Sequence, residues 1–102
     1  MDVARTFVAL YRPGPGWLAD TPVWGQPLEE HGRYMHQLFL EGRLQAGGPF
    51  TDWSGGLAIF VVEEPDEAQR LIDEDPAVVA GTFAAELHPW MSVDWPSYRP
   101  RS

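Results

Sequence analysis

Hydrophobic positions along the 102-residue chain keep two different periods, and each change of period marks the edge of an element. From Val3 to Arg12 (VARTFVALYR), Phe7, Val8, Leu10 and Tyr11 are broken by small or polar neighbours, which predicts a first strand. From Pro27 the period lengthens. Leu28, Met35, Leu38 and Gly42 fall along one helical face with Phe39 flanking. Pro27, Glu29 and Glu30 suit the helix start, and Glu41-Gly42 suits a glycine C-cap. Leu44 to Phe50 (LQAGGPF) reads as a short strand interrupted by Gly47-Gly48-Pro49. After the turn sequence TDWSGG, Leu57 to Val62 (LAIFVV) is a continuous apolar run, expected in a strand covered on both faces.

The stretch Asp66 to Gly81 (DEAQRLIDEDPAVVAG) carries the most information. Ala68, Leu71 and Ile72 stand at i, i+3 and i+4 of a second helix, and the next position on that face, i+7, is Asp75. An acid therefore continues an apolar stripe. Pro76 ends the helix, so Asp75 is expected at its C-terminus, facing the negative end of the dipole and in need of a positive or donating partner. The last strand spans Thr82 to Val93, with Phe83, Ala85 and Leu87 alternating against Ala84, Glu86 and His88, and Pro89 marks an edge or an end.

The order β, α, β, β, α, β predicts an α+β chain of the ferredoxin-like, split βαβ type. It implies a four-stranded antiparallel sheet with two helices on one face. Residues 1–95 make one domain, and 96–102 a C-terminal tail. A sheet containing LAIFVV would expose a large apolar patch on its uncovered side, so a homodimer packed face to face is expected.

Two further stretches bear on chemistry. Residues 13–27 (PGPGWLADTPVWGQP) are too rich in Pro and Gly for regular structure, yet they carry Trp17, Leu18, Val23 and Trp24. Such a loop is either a flap over a ligand or a cover on the edge of the core. On the first helix, His31 lies on the apolar face, three residues after Leu28 and four before Met35, whereas His36 points elsewhere. A lone histidine on an apolar face is commonly a core residue bonded to a carbonyl. Paired with Asp75 across two antiparallel helices, it would instead have one ring nitrogen fixed and the other free to take a proton.

Composition narrows the class. A formal charge of -8, with seven Arg and no Lys, leaves no concentrated cationic surface for nucleic acid or anionic membrane. Absence of cysteine excludes disulfides, thiolate metal sites and a Cys nucleophile. No apolar run approaches a membrane span and no signal-peptide pattern opens the chain, so a cytoplasmic protein is expected. No histidine pair has helical zinc spacing, no GxGxxG follows a strand, and no serine sits in a nucleophile motif. Neither metal nor cofactor is therefore expected. Ser54, in a Gly-rich turn, is a candidate hydrogen-bond donor to a substrate as well as an ordinary turn residue.

The series formed by His31, Glu41-Gly42-Arg43-Leu44, Gly47-Gly48-Pro49, Asp52, Ser54-Gly55-Gly56, Asp75-Pro76, Ala80-Gly81 and His88-Pro89-Trp90 resembles the YCII-related (YciI-like) proteins of the dimeric α+β barrel group. The resemblance covers about residues 5–92. It implies a ferredoxin-like fold, a homodimer and a His-Asp site mapping onto His31 and Asp75, in a family similar to groups that run cofactor-free lyase, isomerase and oxygenase chemistry on small ring compounds. Relatives often carry basic residues ahead of the histidine, and this chain has none from Pro13 to Glu30, which points away from a strongly anionic substrate.

Two functions follow as expectations. One is a small cofactor-independent enzyme of lyase, isomerase or cyclase type. In it, His31 and Asp75 are the catalytic acid/base pair, and Trp17, Trp24, Gly48, Pro49, Trp53, Ser54 and Trp90 bind a small cyclic or aromatic metabolite. The other is a non-catalytic ligand-binding or accessory module in which the pair only satisfies a buried acid. A cavity at the free nitrogen of His31 favours the first.

Overall fold

The computed structural model describes residues 5–101. Its regular elements are β1 (Thr6–Pro13), α1 (Glu29–Leu40), β2 (Leu44–Pro49), β3 (Gly56–Val61), α2 (Pro65–Asp73), the short α3 (Pro76–Val79) and β4 (Phe83–Pro89). The four strands form one antiparallel sheet in the order β2-β3-β1-β4, the ferredoxin-like arrangement. The first two residues expected in β1, Val3 and Ala4, lie outside the described residues.

The core lies between the helices and one face of the sheet. Ala9 and Tyr11 of β1 and Ala58 and Phe60 of β3 point to that face and pack against Leu38, Ala68, Leu71 and Ile72. Ala9 stands opposite Ala58 on the two central strands, and two small side chains there leave room for the helices to approach. On β4, Ala85 and Leu87 lie beside Tyr11 and Ala9 and widen the same apolar floor.

α1 ends as its sequence predicts. Gly42 adopts φ 81°, and the Gly42 and Arg43 amides donate to the carbonyls of Phe39 and Leu38 at 3.0 and 2.9 Å, a Schellman closure.

Within the chain β3 is covered on one face, as the element order predicts: Gly56, Ala58 and Phe60 are buried, Leu57 and Ile59 half-buried and Val61 exposed. One expectation is corrected: the second helix does not reach Asp75. α2 stops at Asp73, and Asp75 turns out to φ -64°, ψ 123°, the extended conformation favoured before a proline. Pro76 then begins α3, so Asp75 caps a new N-terminus instead of facing the negative end of the old helix.

The 13–27 loop is tied to the α3–β4 connection at its start and closed on itself at its end. The Gly14 and Gly16 amides donate to the carbonyls of Thr82 and Gly81 at 2.9 and 2.7 Å. The buried Gln26 side chain accepts from the Leu18 amide and donates to the Leu18 and Thr21 carbonyls, closing the loop on itself. A Cβ on Gly14 would stand 2.3 Å from the Gly81 carbonyl oxygen, so only glycine permits this approach.

Candidate active site

His31 occupies the first turn of α1, and Asp75 the junction between α2 and α3. Its Nδ1 lies 2.8 Å from Oδ2 and 2.9 Å from Oδ1 of Asp75. The Asp75 side chain is completely buried, while that of His31 retains 19% of its surface. Oδ1 of Asp75 also accepts from the Ala77 amide at 2.9 Å. One carboxylate thus caps a helix and holds an imidazole. Among the described residues no group bonds Nε2 of His31. A carboxylate on Nδ1 favours the tautomer protonated there, which leaves Nε2 as an acceptor.

The imidazole packs against two aromatic rings, Tyr11 at 5.8 Å and Phe83 at 5.3 Å, both edge to face, and these two rings lie 5.6 Å from each other. Trp17 from the loop lies against Phe83 at 5.9 Å. β4 runs antiparallel to β1 with Phe83 opposite Pro13, so Phe83, Tyr11 and the start of the loop gather at one end of the sheet.

A cavity of about 190 Å³ opens beside His31. Trp17, Val23, Leu28, Met35, Trp53 and Phe83 supply much of its apolar wall, and Gly48, Pro49, Gly55 and Gly56 form the edge from β2, β3 and the turn between them. Among the described residues no Asp, Glu, Lys or Arg lines it, and the titratable side chains in its wall are His31 and Tyr11. Burial, followed by the field of Asp75, pushes the Tyr11 phenol up from its ordinary value, so it keeps its proton throughout the physiological range.

The residues singled out from sequence divide between two regions. Trp17, Gly48, Pro49 and Trp53 line the cavity with His31. Trp24 is outside the lining and meets Trp53 edge to face at 5.9 Å, with most of its ring exposed. The Ser54 hydroxyl donates to Asp52 at 2.6 Å, closing the 51–55 turn, and this bond holds the Asp52 carboxyl below its usual range. Trp90 follows the opposite end of β4 from Phe83, roughly 20 Å along the strand at ~3.3 Å per residue, and belongs to no wall of the cavity. Tyr11, Leu28, Met35 and Phe83 were not singled out. Their strand or helix faces were legible as core, but their convergence at His31 depends on the β1–β4 register. Among the described residues, no three His, Asp or Glu side chains stand together as a metal site.

Fold and site together define a ferredoxin-like α+β domain with a partly buried His-Asp contact beside an apolar cavity. The model of the YCII-related domain matches residues 7–90, and the chain belongs to that family. A relative of uncharacterised role, YjpA of Bacillus subtilis (strain 168), is 30% identical over 60 residues, which are 59% of this chain and 71% of that one. Among solved structures, the chain resembles 5-chloro-2-hydroxyhydroquinone dehydrochlorinase (TftG) from Burkholderia phenoliruptrix AC1100, in complex with 2,5-dihydroxybenzoquinone. The TM-score is 0.63 at 23% identity, over 88% of this chain and 97% of that one, which is a likeness of fold. No helix among the described residues is long and apolar enough to cross a membrane.

Proposed function

We propose that the chain is a small cofactor-independent enzyme in which His31, oriented by Asp75, moves a proton on a small cyclic or aromatic metabolite, as in an elimination, isomerisation or cyclisation. The observation that carries this reading is the His31–Asp75 contact of 2.8 Å beside a cavity without charged walls. Nδ1 of His31 is held by Asp75, and among the described residues Nε2 has no protein partner. With the proton on Nδ1 held by Asp75, Nε2 accepts a proton from a bound O–H or C–H group and returns it to another atom of the same ligand. General base catalysis of this kind contributes ~10² to 10⁴ in rate. Trp17 and Trp53 supply flat apolar walls, and Gly48 and Pro49 let a ring approach the backbone. The fold-level likeness to a dehydrochlorinase that acts on a hydroquinone is consistent with ring-directed proton chemistry.

The working unit in this reading is a cytoplasmic homodimer. Val8 and Leu10 of β1 and Leu57, Ile59 and Val61 of β3 line the sheet face that no helix covers. Leu10 is 37% and Val61 42% exposed. A second copy laid on that face would bury a contiguous apolar surface.

Screening the native protein and His31→Ala against hydroxylated aromatics and lactones tests the assignment. The native protein turns over a member of the panel and the variant, still folded, does not. Equal activity in both would remove His31 as the base.

A further inference from the structure

Trp53 has a backbone conformation that tryptophan seldom adopts. Its φ is 64°, in the left-handed region that a turn ordinarily fills with Gly, Asn or Asp and where a bulky side chain is strained. The turn braces it there. The Trp53 amide donates to the Phe50 carbonyl at 2.9 Å and the Phe50 amide to the Gly55 carbonyl at 2.8 Å, while the Ser54 amide and hydroxyl both donate to Oδ1 of Asp52. Burial does not offset the strain, because the residue is 51% exposed. A strained conformation that is firmly held, yet gains little from packing, points to a use for the side chain itself.

Trp53 lines the cavity and also meets Trp24, with ring centroids 5.9 Å apart and planes at 81°. Trp24 is 75% exposed and lies outside the lining, but Val23 beside it belongs to the wall, so the two indoles stand where the cavity meets solvent. Trp24 also rests on a fixed backbone. The Gly25 and Gln26 amides donate to the carbonyls of Pro22 and Val23 at 2.9 and 3.1 Å, and the Gln26 side chain ties this end of the loop to Leu18 and Thr21. Two rings set nearly at right angles form a corner, in which a third ring can lie against one face and turn its edge to the other. Because both backbones are held, little order has to be gained when that corner is filled.

Resting on the reading of the cavity as the site of a cyclic ligand, we propose that the Trp24–Trp53 corner is an outer subsite of that cavity, and that the ligand carries a second, apolar ring which stacks there while its first ring stands beside His31. Trp53 is common to both parts, which accounts for a bulky side chain at a position where glycine would relieve the backbone. The corner is separate from the proposed contact between copies. Leu28, His31 and Met35 of the α1 region share the cavity wall with Trp53, so the site lies on the helix side of the sheet, opposite the face that carries Leu10 and Val61.

Phenol and 4-phenylphenol share an inner ring and differ by an outer one, so together they separate the corner from the cavity. Their affinities for the native protein, Trp24→Ala and Trp53→Gly are measured by titration of the backbone amide resonances of Gly48 and Phe83. The native protein should bind 4-phenylphenol at least about 10-fold more tightly than phenol, and Trp24→Ala should lose about 10-fold for 4-phenylphenol while phenol stays within about twofold. Trp53→Gly gives the left-handed position to glycine, so its melting temperature should equal or exceed the native one while 4-phenylphenol binding falls by about 10-fold or more. Equal loss for both ligands in Trp24→Ala, or loss for neither, overturns the subsite. A melting temperature lowered by more than about 5 °C in Trp53→Gly would assign that indole to the fold, and altered sedimentation of Trp24→Ala would assign the corner to a contact between copies; either result also overturns it. Failure here is separable from failure of the base, since no turnover is read. Unchanged 4-phenylphenol binding in both variants refutes the subsite even if His31→Ala abolishes turnover, and a selective loss upholds it even if His31→Ala remains active.

Discussion

Replacing Asp75 in two ways separates its structural part from its electronic one. Asp75→Ala removes the acceptor for the Ala77 amide and the partner of His31 in a single change, at a side chain with no exposed surface. Loss of an N-cap costs about 1 kcal/mol, and loss of a charge-assisted bond that strands its buried partner costs about 1–3 kcal/mol more. The sum is about 3 kcal/mol, offset in part because a buried carboxylate no longer has to be desolvated. In a domain of this size each kcal/mol moves the melting temperature by roughly 4–8 °C, so a fall of about 10–20 °C is expected.

Asp75→Asn behaves differently. In the native protein Oδ1 serves both the Ala77 amide and His31 Nδ1, at 2.9 Å each. An asparagine oxygen in that position keeps the cap, so stability falls by only about 1 kcal/mol. Its NH2 group then takes the place of Oδ2, 2.8 Å from Nδ1, where two donors would collide. The favoured tautomer moves the proton to Nε2, and the acceptor facing the cavity is lost. Turnover should drop by ~10² to 10⁴ while the fold persists. Denaturant titration gives the stabilities, and two-bond proton–nitrogen correlation spectra of the His31 ring give the tautomer. An Asp75→Ala protein within about 0.5 kcal/mol of the native one, or an Asp75→Asn protein that keeps its proton on Nδ1, would refute this reasoning.

Three further outcomes are expected. In the proposed dimer, Leu10→Asp places a charge on the uncovered sheet face, so the native protein is expected to sediment as a dimer and the variant as a folded monomer; an unchanged dimer would place the contact elsewhere. Burial pushes the Tyr34 phenol up to about 12 from 10.0, with Glu74 and Asp75 adding to the shift. Because this raised group ionises more readily in the unfolded chain, its contribution is complete below pH 10 and lost as pH rises toward 12. Tyr34→Phe should flatten that alkaline fall in a pH series of denaturation curves. Gly14→Ala puts a methyl group 2.3 Å from the Gly81 carbonyl, so the loop must move off the α3–β4 connection. Thermal unfolding should show a loss of about 1–3 kcal/mol, and limited proteolysis should reveal a newly accessible site within 13–27.

Several features were legible because they depend only on neighbours in sequence. The strand and helix periods, the glycine closure of α1 and the break imposed by Pro76 follow from backbone sterics. The resemblance carried by His31, the Gly-Gly-Pro run and Asp75-Pro76 pointed to the same family that the domain match identifies. The identity of Asp75 as an acid on an apolar stripe also marked it as a residue needing a partner.

Other features required the tertiary structure. Whether Asp75 would end one helix or begin the next turned on a single ψ angle, and sequence periodicity does not distinguish an i+7 helical position from a cap one residue beyond the helix. The cavity arises because β1 and β4 pair with Pro13 opposite Phe83, which gathers Tyr11, Phe83, Trp17 and His31 from distant parts of the sequence and leaves Trp90 at the far end. Local sterics and periodicity are written residue by residue, whereas strand register and the hollow it encloses belong to the packed whole.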